Sequence, residues 1–298
     1  MGGILGKVFK AARRAANSKP VKWVALPLGL LLFLRACVYE PYLVLDVNRI
    51  EIPARKWNAE ISGLKAAVVS DLHAGNRPLE RWRLERAVAK INAEKPDIVF
   101  LLGDFVNGFI MSAMPPDELA EILGKIEAPL GKFAVIGNHD IGFGPRTLAK
   151  GLSKAGIRFL NNESERIAYG GSHFYVAGGV YTKSKYYNFR RILAKVPEGD
   201  PVILLLHSPD PYPALPEKAS IVFAGHTHGG QIRLPMIGAM TKSHSVQPDN
   251  RESGLFISPR GVPMYVTSGV GTATLTMRLF CPPQIDIVTI KSREPAEK

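Results

Sequence analysis

The 298-residue sequence predicts an α/β fold of two packed, mixed β-sheets flanked by helices, with an N-terminal membrane-anchor segment. Three observations predict it. From Leu64 to Ala155 short β-branched runs alternate with helical patterns in a β-α-β-α-β-α order, the signature of a helix-covered parallel sheet. After Ile157 strand patterns dominate, which implies a second sheet packed face to face on the first. Ahead of both lies an apolar stretch in a region rich in bases.

That stretch begins the chain's order. Residues 1–39 hold Lys7, Lys10, Arg13, Arg14, Lys19, Lys22 and Arg35 and no acid, so they carry 7 of the 12 excess positive charges. The remaining 31 bases and 26 acids leave a body of only +5. Ile4, Leu5, Val8, Phe9 and Ala12 share one helical face, which suits a helix lying on an anionic membrane surface. Trp23 to Leu34 is uncharged, and Trp23 to Tyr39 reaches a spanning length of about 17 residues if Arg35 snorkels to the headgroups. A cleaved signal peptide competes with this reading, though no A-x-A site follows. A buried core helix also competes, and Pro27 and Gly29 weigh against it. If the segment spans, the basic flank places the N-terminus in the cytoplasm and the body outside. If it dips into one leaflet, the body stays cytoplasmic.

Residues 40–63 form a lead-in, with an edge strand over Leu43 to Ile52 ended by Pro53. Within 64–298, Lys65–Ser70, Asp97–Leu102 and Lys132–Ile136 read as strands, and Leu79–Asn92, Pro116–Ile126 and Arg146–Ala155 as helices. Arg166–Tyr169, His173–Ala177, Val202–Leu206, Ile221–Ala224, Leu255–Ser258, Met264–Thr267 and Ile285–Ile290 read as strands of the second sheet, with Tyr187–Ala194 helical. No internal repeat or low-complexity tract divides this body. Two cysteines outside any CxxC pair exclude a disulfide scaffold and a zinc finger.

The chemistry collects where these strands end. Asp71 and His73 follow the first, Gly103-Asp104 the next, and Gly137-Asn138-His139-Asp140 the third. His207 follows Val202–Leu206, and Gly225-His226-Thr227-His228 follows Ile221–Ala224. Ligands of open α/β sheets bind outside the carboxyl ends of strands, so these groups converge. Asp71/His73 and His226/His228 are two residues apart, which puts each pair on one side of an extended segment. The adjoining glycines permit tight turns. A lone Asp or His at a strand end is usually a cap or a satisfied core residue, but five such ends in succession are not accounted for that way. Oxygen and imidazole donors without thiolate suit Mn²⁺, Fe or Zn²⁺ better than Ca²⁺ or a structural zinc.

D-x-H, G-D, G-N-H-D, a single His and G-H-x-H in this order resemble the calcineurin-like metallophosphoesterases, over about 220 residues from Leu64 to Ile290. Leu206–Asp210, Gly225–Pro235 and the apolar segment before Glu40-Pro41 are similar to a bacterial subgroup of membrane-associated or exported phosphodiesterases. The resemblance implies a four-layer metallophosphoesterase fold and two divalent metal ions, with Mn²⁺ foremost. It implies that Asp71, His73 and His228 hold the first ion, that Asn138, His207 and His226 hold the second, and that Asp104 bridges. It further implies in-line attack of a bridging hydroxide on phosphorus, with His139 protonating the leaving oxygen or stabilising the phosphate. The chain departs from the family pattern at Asn107, where many relatives carry an acid that orients the histidine. Asn107 or Asp140 is then the support for His139.

The substrate is less defined. Phe109, Ile110, Met111, Met114, Met236, Ile237 and Met240 are apolar for loop residues near metal motifs. They either form a rim that meets a membrane or acyl chain, or pack onto the core. Lys183, Lys185, Arg190 and Arg191, with Tyr181, Tyr186 and Tyr187, meet anionic groups or form a solvated helix face. His173 and His244 lack motif context and are not read as ligands. The leading expectation is a monomeric, membrane-associated phosphodiesterase acting on a phosphate ester. A lipid-linked pyrophosphatase, such as a UDP-2,3-diacylglucosamine hydrolase, and a nuclease are the alternatives. A body of +5 without a basic stripe disfavours nucleic acid. An intact ligand set argues against a binding module on a dead phosphoesterase fold.

Overall fold

A computed structural model describes residues 19–75, 78–107, 113–181, 187–240, 252–273 and 275–293. Among them, helix α1 (Lys19–Leu34) continues into a π-wound stretch, Arg35–Leu43. Then follow β1 (Asp46–Ala54), β2 (Leu64–Val69), α2 (Pro78–Ala93), β3 (Ile98–Leu101), α3 (Pro116–Leu123) and β4 (Lys132–Ala134). The short α4 (Asn138–Phe143), α5 (Pro145–Ser153), β5 (Ile157–Phe159), β6 (Glu163–Tyr169), β7 (Ser172–Gly178) and α6 (Phe189–Ile192) come next. The last strands are β8 (Val202–Leu205), β9 (Ile221–Ala224), β10 (Arg233–Leu234), β11 (Gly238–Ala239), β12 (Gly254–Ile257), β13 (Pro263–Val266) and β14 (Gln284–Ser292).

Two six-stranded sheets result, ordered β1-β14-β2-β3-β4-β5 and β12-β13-β9-β8-β7-β6. The strands are apolar on both faces because both faces are covered. In β2, Ala66 and Val68 join the core between the sheets, while Ala67 and Val69 face the helices α2, α3 and α5. In β9, Ile221 and Phe223 face inward and Val222 and Ala224 face the outer layer. Phe100 and Phe223 stack across the interface with centroids 5.6 Å apart. This makes four layers, helix, sheet, sheet and irregular helix-bearing layer, with the strand ends of both sheets opening at one edge.

Several expectations need correction. Ile285–Ile290 does not extend the second sheet: β14 lies in the first, parallel to β1 and antiparallel to β2. Periodicity identifies a strand but not its partner. The first sheet is therefore mixed, and the last strand closes over the lead-in. Pro53 does not end β1, since β1 is the edge strand, where a missing N–H is tolerated. The three-residue β5 and the β10–β11 hairpin were too short to read from alternation, and Tyr187–Ala194 shrinks to the single turn of α6.

The apolar segment is helical through Pro27 and past Glu40-Pro41. Trp23–Leu43 is long and apolar enough to cross a membrane by length and composition, and most of it is not buried against the protein. The basic amphipathic stretch ahead of it lies outside the described residues. Ala36, Glu40 and Pro41 are the parts of the segment that dock on the body. There Glu40 pairs with Arg35 at 3.2 Å and accepts a hydrogen bond from the Cys281 N–H, and the Arg278 N–H donates to the Ala36 carbonyl at 2.9 Å.

Candidate metal centre

β2, β3 and β4 run parallel, as do β8 and β9, and each releases its polar residues from its carboxyl end. The loops are then stitched together. The Asp71 N–H donates to the Gly103 carbonyl, the His73 N–H to that of Asp104, and the Gly225 N–H to that of His207. The His226 N–H donates to Asp71 Oδ2 at 2.9 Å, tying one sheet's loops to the other's.

The paired residues do not share a side through extended backbone, as the spacing suggested. Asp71, His73, Asp104, His226 and His228 all have positive φ, between 45° and 73°. Left-handed backbone is unfavourable for residues with a Cβ and persists only where the surroundings over-determine it. Here those loop-to-loop hydrogen bonds hold it. Gly103, with a φ of 92°, turns the backbone as expected, but Gly137 and Gly225 serve differently. A Cβ on Gly137 would lie 2.2 Å from Asp104 Oδ1, and one on Gly225 2.0 Å from Ser70 Oγ. They are needed for close approach, and neither has a positive φ.

Two groups of acceptor atoms result. In one, His73 Nε2 and His228 Nε2 face each other at 3.1 Å, with Asp71 Oδ1 3.4 Å from His228 Nε2. In the other, His207 Nε2 lies 2.9 Å from Asn138 Oδ1 and 3.2 Å from His226 Nδ1. Asp104 Oδ2 stands between them, 3.6 Å from His73 Nε2 and 3.3 Å from His207 Nε2. The structure thus brings all seven predicted ligands together, with Asp104 between the two groups, and His139 joins His73 and Asp104 in a further candidate group. His207 Nδ1–H donates to the Leu102 carbonyl at 2.8 Å, which fixes the tautomer and turns Nε2 toward the centre.

The electrostatics suit a cation. Burial holds His73 down to about 3. It also lowers His226, with help from His207, and His228, with help from Arg278. These rings are neutral and offer lone pairs. Burial resists ionisation of Asp104, but His207 beside it outweighs this and holds the carboxyl below the usual carboxylate range. The same pairing overcomes burial at His207 and raises it to about 9. Asp71 Oδ1 is buried without a hydrogen-bond donor among the described residues. Buried acceptors pointed at one another are costly unless a cation sits among them, so these residues fit divalent metal.

His139 lies beside this centre, its ring 4.6 Å from that of His73 in an edge-on arrangement. Its N–H donates to Asp104 Oδ1 at 2.8 Å. Asp140 is engaged elsewhere than the sequence suggested. Its oxygens accept from the backbone N–H groups of Gly137, Asp104, Phe105 and Val106, so it clamps the G-N-H-D loop to the G-D loop. Burial, then the nearby Asp104 charge, raises its pKa to about 7. Asn107 is buried, and its Oδ1 has no hydrogen-bond partner among the described residues.

Two further residues reach the site. The Tyr181 ring lies 5.6 Å from that of His207 and 5.9 Å from that of His226. It follows the carboxyl end of β7, the same positional signal that located the ligands. Arg278 is fully buried behind His228, whose carbonyl it approaches at 3.5 Å, and nothing in its local sequence marks it. The apolar loop residues divide: Met114 is core, while Met236, Ile237 and Met240 are exposed. Phe109, Ile110, Met111, Lys183, Lys185, Tyr186 and His244 lie outside the described residues. Arg190 and Arg191 are on the exposed face of α6. His173 pairs with Asp200 at 3.1 Å.

The fold and this acceptor cluster define a metal-dependent phosphoesterase class. A family model described as calcineurin-like phosphoesterase matches residues 64–230, more than half of the chain, and the protein belongs to that family. It is 34% identical over 238 residues to an uncharacterised metallophosphoesterase of Aquifex aeolicus, covering 77% of this chain and 86% of that one. An uncharacterised metallophosphoesterase of Bacillus subtilis is 27% identical, with 77% and 80% covered. A Danio rerio transmembrane protein with a metallophosphoesterase domain is 27% identical over 85% of this chain and 58% of its own length.

Proposed function

We propose that this family hydrolase is a membrane-associated phosphodiesterase using two divalent ions, Mn²⁺ foremost. The observation that carries the reading is the convergence of acceptor atoms in two groups that share Asp104. Asp71, His73 and His228 would hold one ion, Asn138, His207 and His226 the other, and Asp104 both. When bound, such a pair supplies Lewis acidity at the phosphoryl oxygens and a water acidic enough to attack phosphorus. The chain's own residues do the rest. Leu102 orients His207 through its carbonyl, Asp140 sets the spacing of the Asp104 and Asn138 loops, and a ring N–H of His139 donates to the departing oxygen. Preference for a diester rests on the likeness of Leu206–Asp210 and Gly225–Pro235 to the phosphodiesterase subgroup.

Helix α1 is the anchor in this reading. Its apolar stretch is exposed, its flank is basic, and the Danio rerio relative is described as a transmembrane protein. The positive flank puts the N-terminus in the cytoplasm and the catalytic body on the outer side.

Full-length protein in detergent with Mn²⁺ should hydrolyse bis-p-nitrophenyl phosphate, lose that activity in EDTA and regain it with added Mn²⁺. An EDTA-resistant rate would refute metal dependence. Faster hydrolysis of p-nitrophenyl phosphate than of the diester would refute the diester preference.

A further inference from the structure

Among the described residues the apolar segment is not the single exposed hydrophobic feature. Immediately after His228, the β10–β11 hairpin projects Met236, fully exposed, and Ile237, 72% exposed, with Met240 half-exposed beside them. Large apolar side chains at an isolated hairpin tip are unfavourable in water and favourable in hydrocarbon. Met236 itself has a φ of 67°, so the tip holds a strained turn that presents this side chain outward.

The hairpin is tied to the strip that docks the anchor. The N–H of Arg233 donates to the Leu279 carbonyl, and the Leu279 N–H donates to that of Gln231. The Gln231 side chain bonds both the N–H and the carbonyl of Ala273, which steadies the segment carrying exposed Leu275. The next residue in the strip, Phe280, is partly exposed and has the Arg35 guanidinium over its ring at 4.9 Å. Arg35 is where the uncharged run of α1 ends. Hydrogen bonds and ring contacts therefore run without a break from the membrane end of the helix, through Phe280 and Leu279, to the hairpin.

We propose that the β10–β11 hairpin is a second membrane contact, dipping Met236 and Ile237 into the bilayer surface that α1 enters. The occupant is lipid, argued from this continuity with the apolar helix. Arg35 over the Phe280 ring suits headgroup level, where the guanidinium stays in water and the arginine stem and the wholly apolar ring face hydrocarbon. Because the hairpin follows His228 by only a few residues, two contacts instead of one would set the tilt of the metal centre toward the headgroups. A body on a helix alone would be free to turn. The proposal rests on reading α1 as an anchor, and its test separates the two.

Full-length protein would be reconstituted into vesicles of equal phosphatidylethanolamine and phosphatidylglycerol, doped with a diazirine-bearing phospholipid, irradiated, and its peptides mapped by mass spectrometry. Lipid adducts are expected on both the α1 peptide and the peptide spanning residues 234–240. In Met236→Ser/Ile237→Ser, adducts on the hairpin should fall on the order of tenfold, with the α1 adducts and the thermal midpoint unchanged. Adducts on α1 without any on the hairpin would overturn the proposal and leave the anchor standing, whether or not the hairpin cross-links to a second copy of the chain. Adducts on neither would overturn both. Adducts on the hairpin alone would refute the anchor and with it the proposed two-point attachment.

Discussion

Two buried polar clusters lie back to back across the His228 backbone, and they are built on opposite rules. Where the apolar helix docks on the body, each charged group has a partner of opposite polarity, Glu40 Oε2 through an ion pair and not a hydrogen bond. Arg278 donates to the carbonyls of Gly271, Ser268, Cys281 and Gly269. Glu40 is engaged through one oxygen by the Cys281 N–H and through the other by Arg35. At the candidate metal centre acceptors face acceptors: two imidazole Nε2 atoms stand 3.1 Å apart, and Asp71 Oδ1 beside them is buried with no hydrogen-bond donor among the described residues. A donor matched to acceptors completes a structure. Acceptors matched to acceptors require a cation, so the first cluster is read as structural and the second as functional.

Replacing the shared ligand breaks this contrast most severely. Asp104→Asn keeps the shape and removes the charge common to both groups. Turnover of bis-p-nitrophenyl phosphate should fall roughly 10³-fold or more, equivalent to at least about 4 kcal/mol of barrier. The thermal midpoint of metal-free protein should fall modestly, because the charge paired with His207 is lost while Asn keeps an oxygen for the His139 N–H. Unimpaired turnover would refute the shared-ligand arrangement.

Arg278→Met tests the other cluster. The substitution fills similar space but leaves several buried carbonyls without a donor, each of which costs about 1–3 kcal/mol. Unfolding in denaturant should show a loss of roughly 3 kcal/mol. The protein that remains folded should keep its turnover, since among the residues of the candidate centre Arg278 hydrogen-bonds only His228, and that through its backbone carbonyl. A stable variant with little activity would reverse the assignment and make Arg278 part of the catalytic apparatus.

The two clusters also differed in how far the sequence revealed them. The candidate cluster was legible because its residue types are rare at strand ends and recur in order: Asp71, Asp104, Asn138, His207 and His226 each come within two residues of an apolar run. What was hidden was how the backbone places them. The left-handed φ of five of the candidate ligands is held by hydrogen bonds between loops distant in sequence, and Asp and His carry no local mark of it. Asp140 read as a partner for His139 because it is adjacent in sequence, yet its carboxylate serves four backbone amides around the G-D loop. The junction was almost illegible. Arg278 sits between Met277 and Leu279 with no motif, and its role depends on where Ala36 and Glu40 land. For the same reason the pairing of β14 with β1 escaped: it joins residues more than 200 positions apart.

Glu40→Gln is the gentlest change and the one that sharpens the contrast furthest. Gln retains an oxygen for the Cys281 N–H and loses only the charge directed at Arg35, whose side chain is 43% exposed. A half-solvated pair contributes little, so stability in detergent should drop by no more than about 1 kcal/mol. Turnover of a soluble diester should not change, because Glu40 contacts neither group of metal acceptors. A loss of activity beyond what that small destabilisation explains would mean that strain at the junction reaches His228 through Arg278. The two clusters would then be one coupled unit, and the division between satisfied structure and cation-seeking site would no longer hold at their shared backbone.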